Sequence, residues 1–329
     1  MAVTQKDIAD ALGVSTVTVS RALREHADLS EQTKRKVMET AERLGYLKHR
    51  AARPAIRRVG VLAYGISRQF FFESTLVQGM FEAIQNRFRE AGVEVVLQMP
   101  EPREVPTMVT EGSVDAVVIM GHADESIFKR LGNIYSVALA GATAQAAHAH
   151  IGSDDFGGEF AVAEYLISRG HRRIAFLGED RPDSPVMRNR AHGYTLAMFD
   201  NKLQPNLHWI STNADPRTEQ MQPQIAAFLQ KNPDITALVA SHDGIAHRAQ
   251  LACRQLGIDV PDQISIVGYD DMPVSREGQL TTYRPEWSAI GNLAAELILK
   301  QVAGPSQGYR MVVPGRIVHR ESVATLKPE

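Results

Sequence analysis

The residues best suited to a chemical task lie near the start of the chain, in Val14-Ser15-Thr16-Val17-Thr18-Val19-Ser20-Arg21-Ala22-Leu23. Val19, Ala22 and Leu23 fall at the spacing of one inward helix face, and Gly13 precedes the run. Ser15, Thr16, Val17, Thr18, Ser20 and Arg21 cannot all be core. Short hydroxyl side chains suit phosphate oxygens, and an arginine can place two donors on the O6/N7 edge of a guanine. The pattern points to recognition of duplex DNA. Covalent chemistry is not signalled: the chain has no His-Glu-x-x-His and no phosphate loop. A single cysteine, Cys253, excludes an intramolecular disulfide and any cysteine-built metal site. The 11 histidines, among them His148, His150 and His247, lack paired ligand spacing. No enzyme activity, metal or cofactor is expected.

Three short helices must hold the DNA-facing residues. Thr4 with Asp7 is close to a capping box, and the stripe Ile8, Ala9, Ala11 and Leu12 ends at Gly13. Ser15 caps the second helix, with Leu12-Gly13-Val14-Ser15 as the turn, which is helix-turn-helix spacing. Ser30 and Glu31 open a third helix with Val37, Met38, Ala41 and Leu44 inward and Gly45 beyond its end. Charge agrees with this reading. Residues 1–58 hold 12 Lys and Arg against 7 Asp and Glu, a net +5, while the rest holds 24 against 31, a net −7.

The whole chain has 329 residues, 44% hydrophobic and 22% charged, too long for one ordinary domain and too apolar for a disordered one. Lys48 to Arg58 is basic, lacks apolar periodicity and reads as a linker. Beyond it, short apolar runs alternate with amphipathic helices: strands at 58–63, 93–98, 116–120, 136–140, 150–151, 173–177, 237–240, 265–269 and 311–313, helices at 76–91, 156–169, 190–200, 220–230, 244–256 and 289–302. That alternation predicts α/β architecture with parallel sheets, and its length predicts two lobes. No apolar run approaches a membrane span and no leader opens the chain, so a cytoplasmic protein is expected.

These residues resemble the LacI/GalR family of bacterial transcription repressors. The matching text is Lys6-Asp7-Ile8-Ala9, Gly13-Val14-Ser15, Thr18-Val19-Ser20-Arg21, Leu29-Ser30 through Thr33, and Leu44-Gly45-Tyr46. It continues through Phe70-Phe71, Arg169 to Gly178, Arg190 to Tyr194, Val260-Pro261, Ile264 to Asp271 and Leu280-Thr281-Thr282. The resemblance implies a homodimer controlled by a small effector, with a periplasmic-binding-protein-like core. It divides the chain into a helix-turn-helix head at 1–47, a hinge at 48–58 and a core at 59–329. The N-lobe then covers about 59–151 and 286–312, the C-lobe about 152–283 and 313–329.

Carried over by motif, Thr16 and Val17 match the variable base-reading positions and Arg21 the fixed one. Ser15, Thr18 and Ser20 match positions that touch phosphate or support the helix, and Arg53 belongs to the hinge. Phe70 and Phe71 match an aromatic pair at the effector cleft, Arg190 and Asp270 its polar contacts, and Trp287 an aromatic wall. Arg190 and Asp270 are expected on opposite sides of one cleft, an arrangement that suits a polyhydroxylated ligand. Some positions depart from the family pattern. In the hinge, His49 replaces an Asn, and Pro54-Ala55 stand where x-Leu is usual; Ala55 is too small for the minor-groove wedge, with Ile56 next to it, and Pro54 fits only near a helix start. In the cleft, Arg68-Gln69 replace Asn-Pro, Gly141 an acidic residue, and His242-Asp243 Asn-Asp. His242 either bonds the ligand or caps a helix, and Arg68 hints at a sugar acid or sugar phosphate. The expected partners are operator DNA and a sugar or sugar derivative, a nucleobase being less favoured. Two rival readings are a ligand-independent repressor with a vestigial cleft and a cytoplasmic solute-binding protein.

Overall fold

Thr4 and Asp7 do close a capping box. The Thr4 hydroxyl accepts from the Asp7 amide at 3.3 Å, and the Asp7 carboxylate accepts from the Thr4 amide at 2.7 Å. They start helix α1 (Gln5–Leu12), which Gly13 ends with φ +64°, a conformation that costs a residue with a side chain. Ser15 then caps α2 (Thr16–Ala22) by accepting from the Thr18 amide at 3.0 Å, and Ser30 accepts from Thr33 at the start of α3 (Glu31–Arg43). Ile8, Ala9, Val19, Ala22, Leu23, Val37 and Ala41 form a small core of their own. Met38, expected inward, is exposed; the inward stripe of α3 runs through Val37, Thr40 and Ala41 instead.

The computed structural model describes residues 4–23, 29–44, 56–101, 103–132, 134–140, 149–181, 184–211, 220–300 and 309–326. Arg53, the linker positions His49, Pro54 and Ala55, and also Gly45, Tyr46, Gly141 and His148, lie outside them. The chain separates into two units, Met1–Ile56 and Arg57–Glu329.

The second unit contains two six-stranded sheets. The first has the order β11-β5-β4-β3-β1-β2, with β1 (Arg58–Tyr64), β2 (Glu94–Gln98), β3 (Ala116–Gly121), β4 (Tyr135–Leu139), β5 (Ala149–Ser153) and β11 (Tyr309–Val313), all parallel. The second has the order β12-β10-β9-β8-β6-β7, with β6 (Ile174–Glu179), β7 (Leu207–Ile210), β8 (Ala237–Ala240), β9 (Ser265–Tyr269), β10 (Thr281–Arg284) and β12 (Arg316–Val318). The expectation of purely parallel sheets needs one correction: β12 runs antiparallel to β10. Only Pro314 and Gly315 separate it from β11 in the other sheet, too few residues for a crossover that would return it parallel. Their central strands, buried on both faces, are continuous apolar runs because helices cover both sides.

The helices that matter most for the site follow β5 and β6. Asp155–Ser168 and Pro185–Asp200 cross at Gly193, where an added Cβ would lie 2.2 Å from the Phe156 carbonyl oxygen. Any side chain there would force the helices apart. Among the described residues no helix is long and apolar enough to cross a membrane, and no cluster of three or more His, Cys, Asp or Glu side chains could hold a metal.

Candidate functional site

On α2 the buried positions Val19, Ala22 and Leu23 define one side, and Thr16, Val17, Ser20 and Arg21 fall within an arc of roughly 140° on the other. Thr16, Val17 and Arg21 are exposed, and Val17 keeps 59% of its surface open, unusual for a valine with no outside partner. Ser15 and Thr18 are occupied differently. Their hydroxyls bond each other at 2.9 Å while Ser15 caps the helix. Among the described residues, the helix-turn-helix therefore offers four side chains without a polar partner and two that hold the turn.

In the second unit, acidic and basic groups meet at the carboxyl ends of strands, where α/β sheets gather ligands. Arg190, on the second turn of helix Pro185–Asp200, is buried. Its Nε and Nη2 donate to Asp155 Oδ1 at 3.0 and 2.9 Å, its Nη2 also to Asp270 Oδ1 at 3.3 Å, and its Nη1 to the Ser241 carbonyl. The guanidinium lies 3.5 Å above the centre of the Tyr269 ring. Burial opposes its charge, but Asp270 and Asp155 outweigh burial and hold the guanidinium's proton more firmly than usual. Asp270 follows β9 with φ +105°, a strained conformation for a residue with a Cβ.

The expectation that Arg190 and Asp270 face each other across a cleft is overturned: they are a direct ion pair, both tied to the second sheet. The reason is topological. Arg190 opens the helix after β6 and Asp270 ends β9, and those strands are separated only by β8. Sequence reasoning missed Asp155, the stronger partner. Its position at the strand-to-helix junction after β5 was the available signal.

His242 caps helix Asp243–Leu256: its Nδ1 accepts from the Ile245 amide at 3.4 Å. Burial lowers its proton affinity, so the ring is neutral with its proton on Nε2, which faces Glu179 at 3.9 Å. The neighbouring Asp243 accepts from the Met272 amide and the Thr282 hydroxyl, and burial pushes its carboxyl up to about 7. Met272 in turn takes hydroxyl contacts from Ser74 and Thr75 at 4.0 and 3.9 Å, which joins the two lobes. One step from Asp270, Asp271 is buried beneath Arg320, Arg284 and Arg276 at 2.5, 3.3 and 3.4 Å.

The aromatic residues divide. Phe70 is 46% exposed on helix Arg68–Glu73 after β1, beside the exposed Arg68. Phe71 does not line open space, contrary to expectation; it is fully buried edge-on against Phe72 and Phe81 and anchors that short helix. Trp287 is buried at the start of helix Trp287–Lys300, its Cβ close to Gly79, with its indole N–H unpartnered among the described residues.

The sequence pattern of the bacterial regulatory proteins of the lacI family matches residues 4–48, and that of the periplasmic binding protein-like domain matches residues 163–323. The chain belongs to the LacI/GalR family. Among its relatives, the HTH-type transcriptional regulator GalS of Salmonella typhimurium is 27% identical over 92% of this chain and 91% of its own length. The HTH-type transcriptional repressor PurR of Proteus mirabilis is 27% identical over 98% and 97%. The transcriptional regulator CelR, solved in a complex with cellobiose, has the same fold: TM-score 0.67, 23% identity, 97% of this chain and 99% of the other. This LacI/GalR chain is thus a DNA-binding transcription regulator of the repressor type, with a two-lobed core of the effector-binding kind.

Proposed function

We propose that this LacI/GalR regulator is a cytoplasmic homodimer that represses transcription by binding a pseudo-palindromic operator through α2 and releases or tightens that grip when a sugar or sugar derivative enters the core. Thr16, Val17 and Arg21 read base edges, and Ser15, Thr18 and Ser20 meet phosphate or hold the turn; Arg53 adds a hinge contact. Phe70, Arg190, Asp155, His242 and Asp270 receive the effector, with Phe71 and Trp287 as packing behind them. The observation that carries the sensing role is the Arg190–Asp155–Asp270 cluster at the strand ends. A vestigial cleft has no reason to retain a buried arginine between two carboxylates, since pairs of this kind cost desolvation and add little stability.

The structure changes how this is tested. Arg190→Ala would strand two buried carboxylates, at about 3–5 kcal/mol, and so would report on folding. Asp270→Asn keeps the shape and removes one charge. Screening sugars and nucleobases by thermal shift should find a compound that raises the melting temperature, because a cleft ligand stabilises in proportion to ln(1 + [L]/Kd). That compound should change operator affinity in the parent and have at least tenfold less effect in Asp270→Asn, whose operator affinity without ligand stays within about twofold. If no compound shifts the protein while operator binding is tight, the ligand-independent reading stands instead.

A further inference from the structure

The charge inventory of the cleft says more about its occupant than the family resemblance does. Four acids stand at or just after strand ends around Arg190: Asp155 after β5, Glu179 at the end of β6, Asp243 after β8 and Asp270 after β9. One buried cation answers them. Arg190 has five N–H donors, and four contacts to Asp155, Asp270 and the Ser241 carbonyl use all but one, while Tyr269 covers a face of the guanidinium. A phosphate or carboxylate could gain a two-pronged grip on Arg190 only by displacing two carboxylates and then sitting among them. Arg181 is half exposed and already near Glu179 at 3.8 Å.

Glu159 is an independent observation. It lies one helical turn below Asp155, on the same face of helix Asp155–Ser168, and is fully buried. Its two carboxyl oxygens have no hydrogen-bond partner among the described residues, and neither has the buried Ser241 hydroxyl beside Arg190. The groups that act on it are Arg190, Asp155, Asp270 and Tyr269. Burial, reinforced by Asp155 and Asp270 against the pull of Arg190, pushes its carboxyl up to about 8, so it carries a proton at neutral pH. A buried acid with no hydrogen-bond partner among the described residues, held neutral beside more acid than Arg190 answers, would ionise if a cation came to rest next to it.

Resting on the proposed sensing role, we propose that the cleft is built for an amine-bearing sugar or polyol rather than a sugar acid or sugar phosphate, with Glu159 as the positioning residue that sets this preference. The ammonium group sits among Asp155, Asp270 and Glu179, and its charge lets Glu159 ionise. The Glu159 proton leaves to the buffer, so the cluster takes up one positive charge and gives one up. This reverses the hint from Arg68, which is exposed on the short helix after β1.

The test uses the full chain and matched sets of glucose, galactose and mannose, each with its 2-amino and 6-phosphate derivative, in calorimetry at pH 6.5 in two buffers of different ionisation enthalpy. At least one amine should bind tenfold or more tightly than its neutral parent, releasing up to one proton, and no phosphate should bind more tightly than its parent. Glu159→Gln, near in shape to the protonated acid, should bring amine and parent within about threefold and reduce the proton release. Circular dichroism and operator binding verify that this variant is folded. A phosphate that binds best, amines no better than their parents, no amine binding in any set, or a preference that survives Glu159→Gln would each overturn the assignment. Operator binding measured alongside separates this from the larger reading: loss of operator recognition in the parent protein would sink the repressor function, whereas a wrong ligand preference with intact operator binding sinks only the ligand class.

Discussion

Arg21 and Glu159 mark two ways in which a single side chain can matter. Arg21 is exposed and has no partner among the described residues, so Arg21→Ala should change the melting temperature little and weaken operator binding by about 1–3 kcal/mol through one lost bidentate base contact. Fluorescence anisotropy at fixed salt checks this, and equal affinity in parent and variant would end its assignment as a base reader. Glu159 acts on stability instead. Its folded proton affinity lies above that of the unfolded chain, so the native state binds more protons between about pH 4.5 and 8 and stability falls as pH rises through that window. Glu159→Gln should remove this slope, giving a protein up to about 3 kcal/mol more stable than the parent at pH 7 and equal to it near pH 4. Thermal melts across pH decide the matter. Asp271 works in the opposite sense. Burial alone would raise its carboxyl, but Arg320, with Arg276 and Arg284, pulls it below the ordinary range. That contribution is present above the unfolded value and is lost as acid protonates the carboxylate.

Between elements, the decisive contact is the crossing of helices Asp155–Ser168 and Pro185–Asp200, because it sets Arg190 beside Asp155. Gly193→Ala puts a methyl on the Phe156 carbonyl and should separate the helices, costing about 1–3 kcal/mol of stability and weakening any cleft ligand far more than operator binding. Parallel melts and titrations would show whether the two losses separate. Elements were legible in the sequence where burial leaves a trace, a helical period on one face or a continuous apolar run on both. Strands β1, β3, β8 and β9 and the longer helices lie within two residues of their expected ends, apart from Pro185–Asp200, whose first turn falls before the periodic stretch. The elements missed are β7, β10, β12 and the helices at 68–73, 107–110, 125–130 and 273–277, each six residues or fewer and interrupted by polar side chains, so that neither a helical period nor a continuous apolar run marks them. The site was half legible for a similar reason. Arg190 and Asp270 stood in recognisable motifs, but their pairing depends on strand order, and Asp155 and Glu159 gain their meaning only from a neighbour far along the chain.

For the molecule as a whole, the uneven charge of the sequence sets the response to salt. A net +5 in residues 1–58 against −7 elsewhere should give operator affinity that falls steeply with ionic strength, by about 0.9 in log units per log unit of salt for each phosphate contacted. As a dimer, the protein should protect two half-sites about one helical turn apart, about 10–10.5 bp between centres. Because Ala55 stands where a wedge residue is usual, the operator should bend less than with a wedge-inserting relative, which circular-permutation gel shifts would reveal as a weak dependence of mobility on site position.

The last strands have a bearing on how the protein is made. β11 completes the first sheet and β12 the second, and the Arg320 and Ser322 side chains bind back to Asp271 and the Ile266 carbonyl. During synthesis, the head has its described core within the first 44 residues, whereas the first sheet cannot close before residue 313 and the second before residue 318. At about 5–20 residues per second, that leaves a delay on the order of tens of seconds. In that interval a nascent chain carries a finished DNA-reading head and no finished sensor.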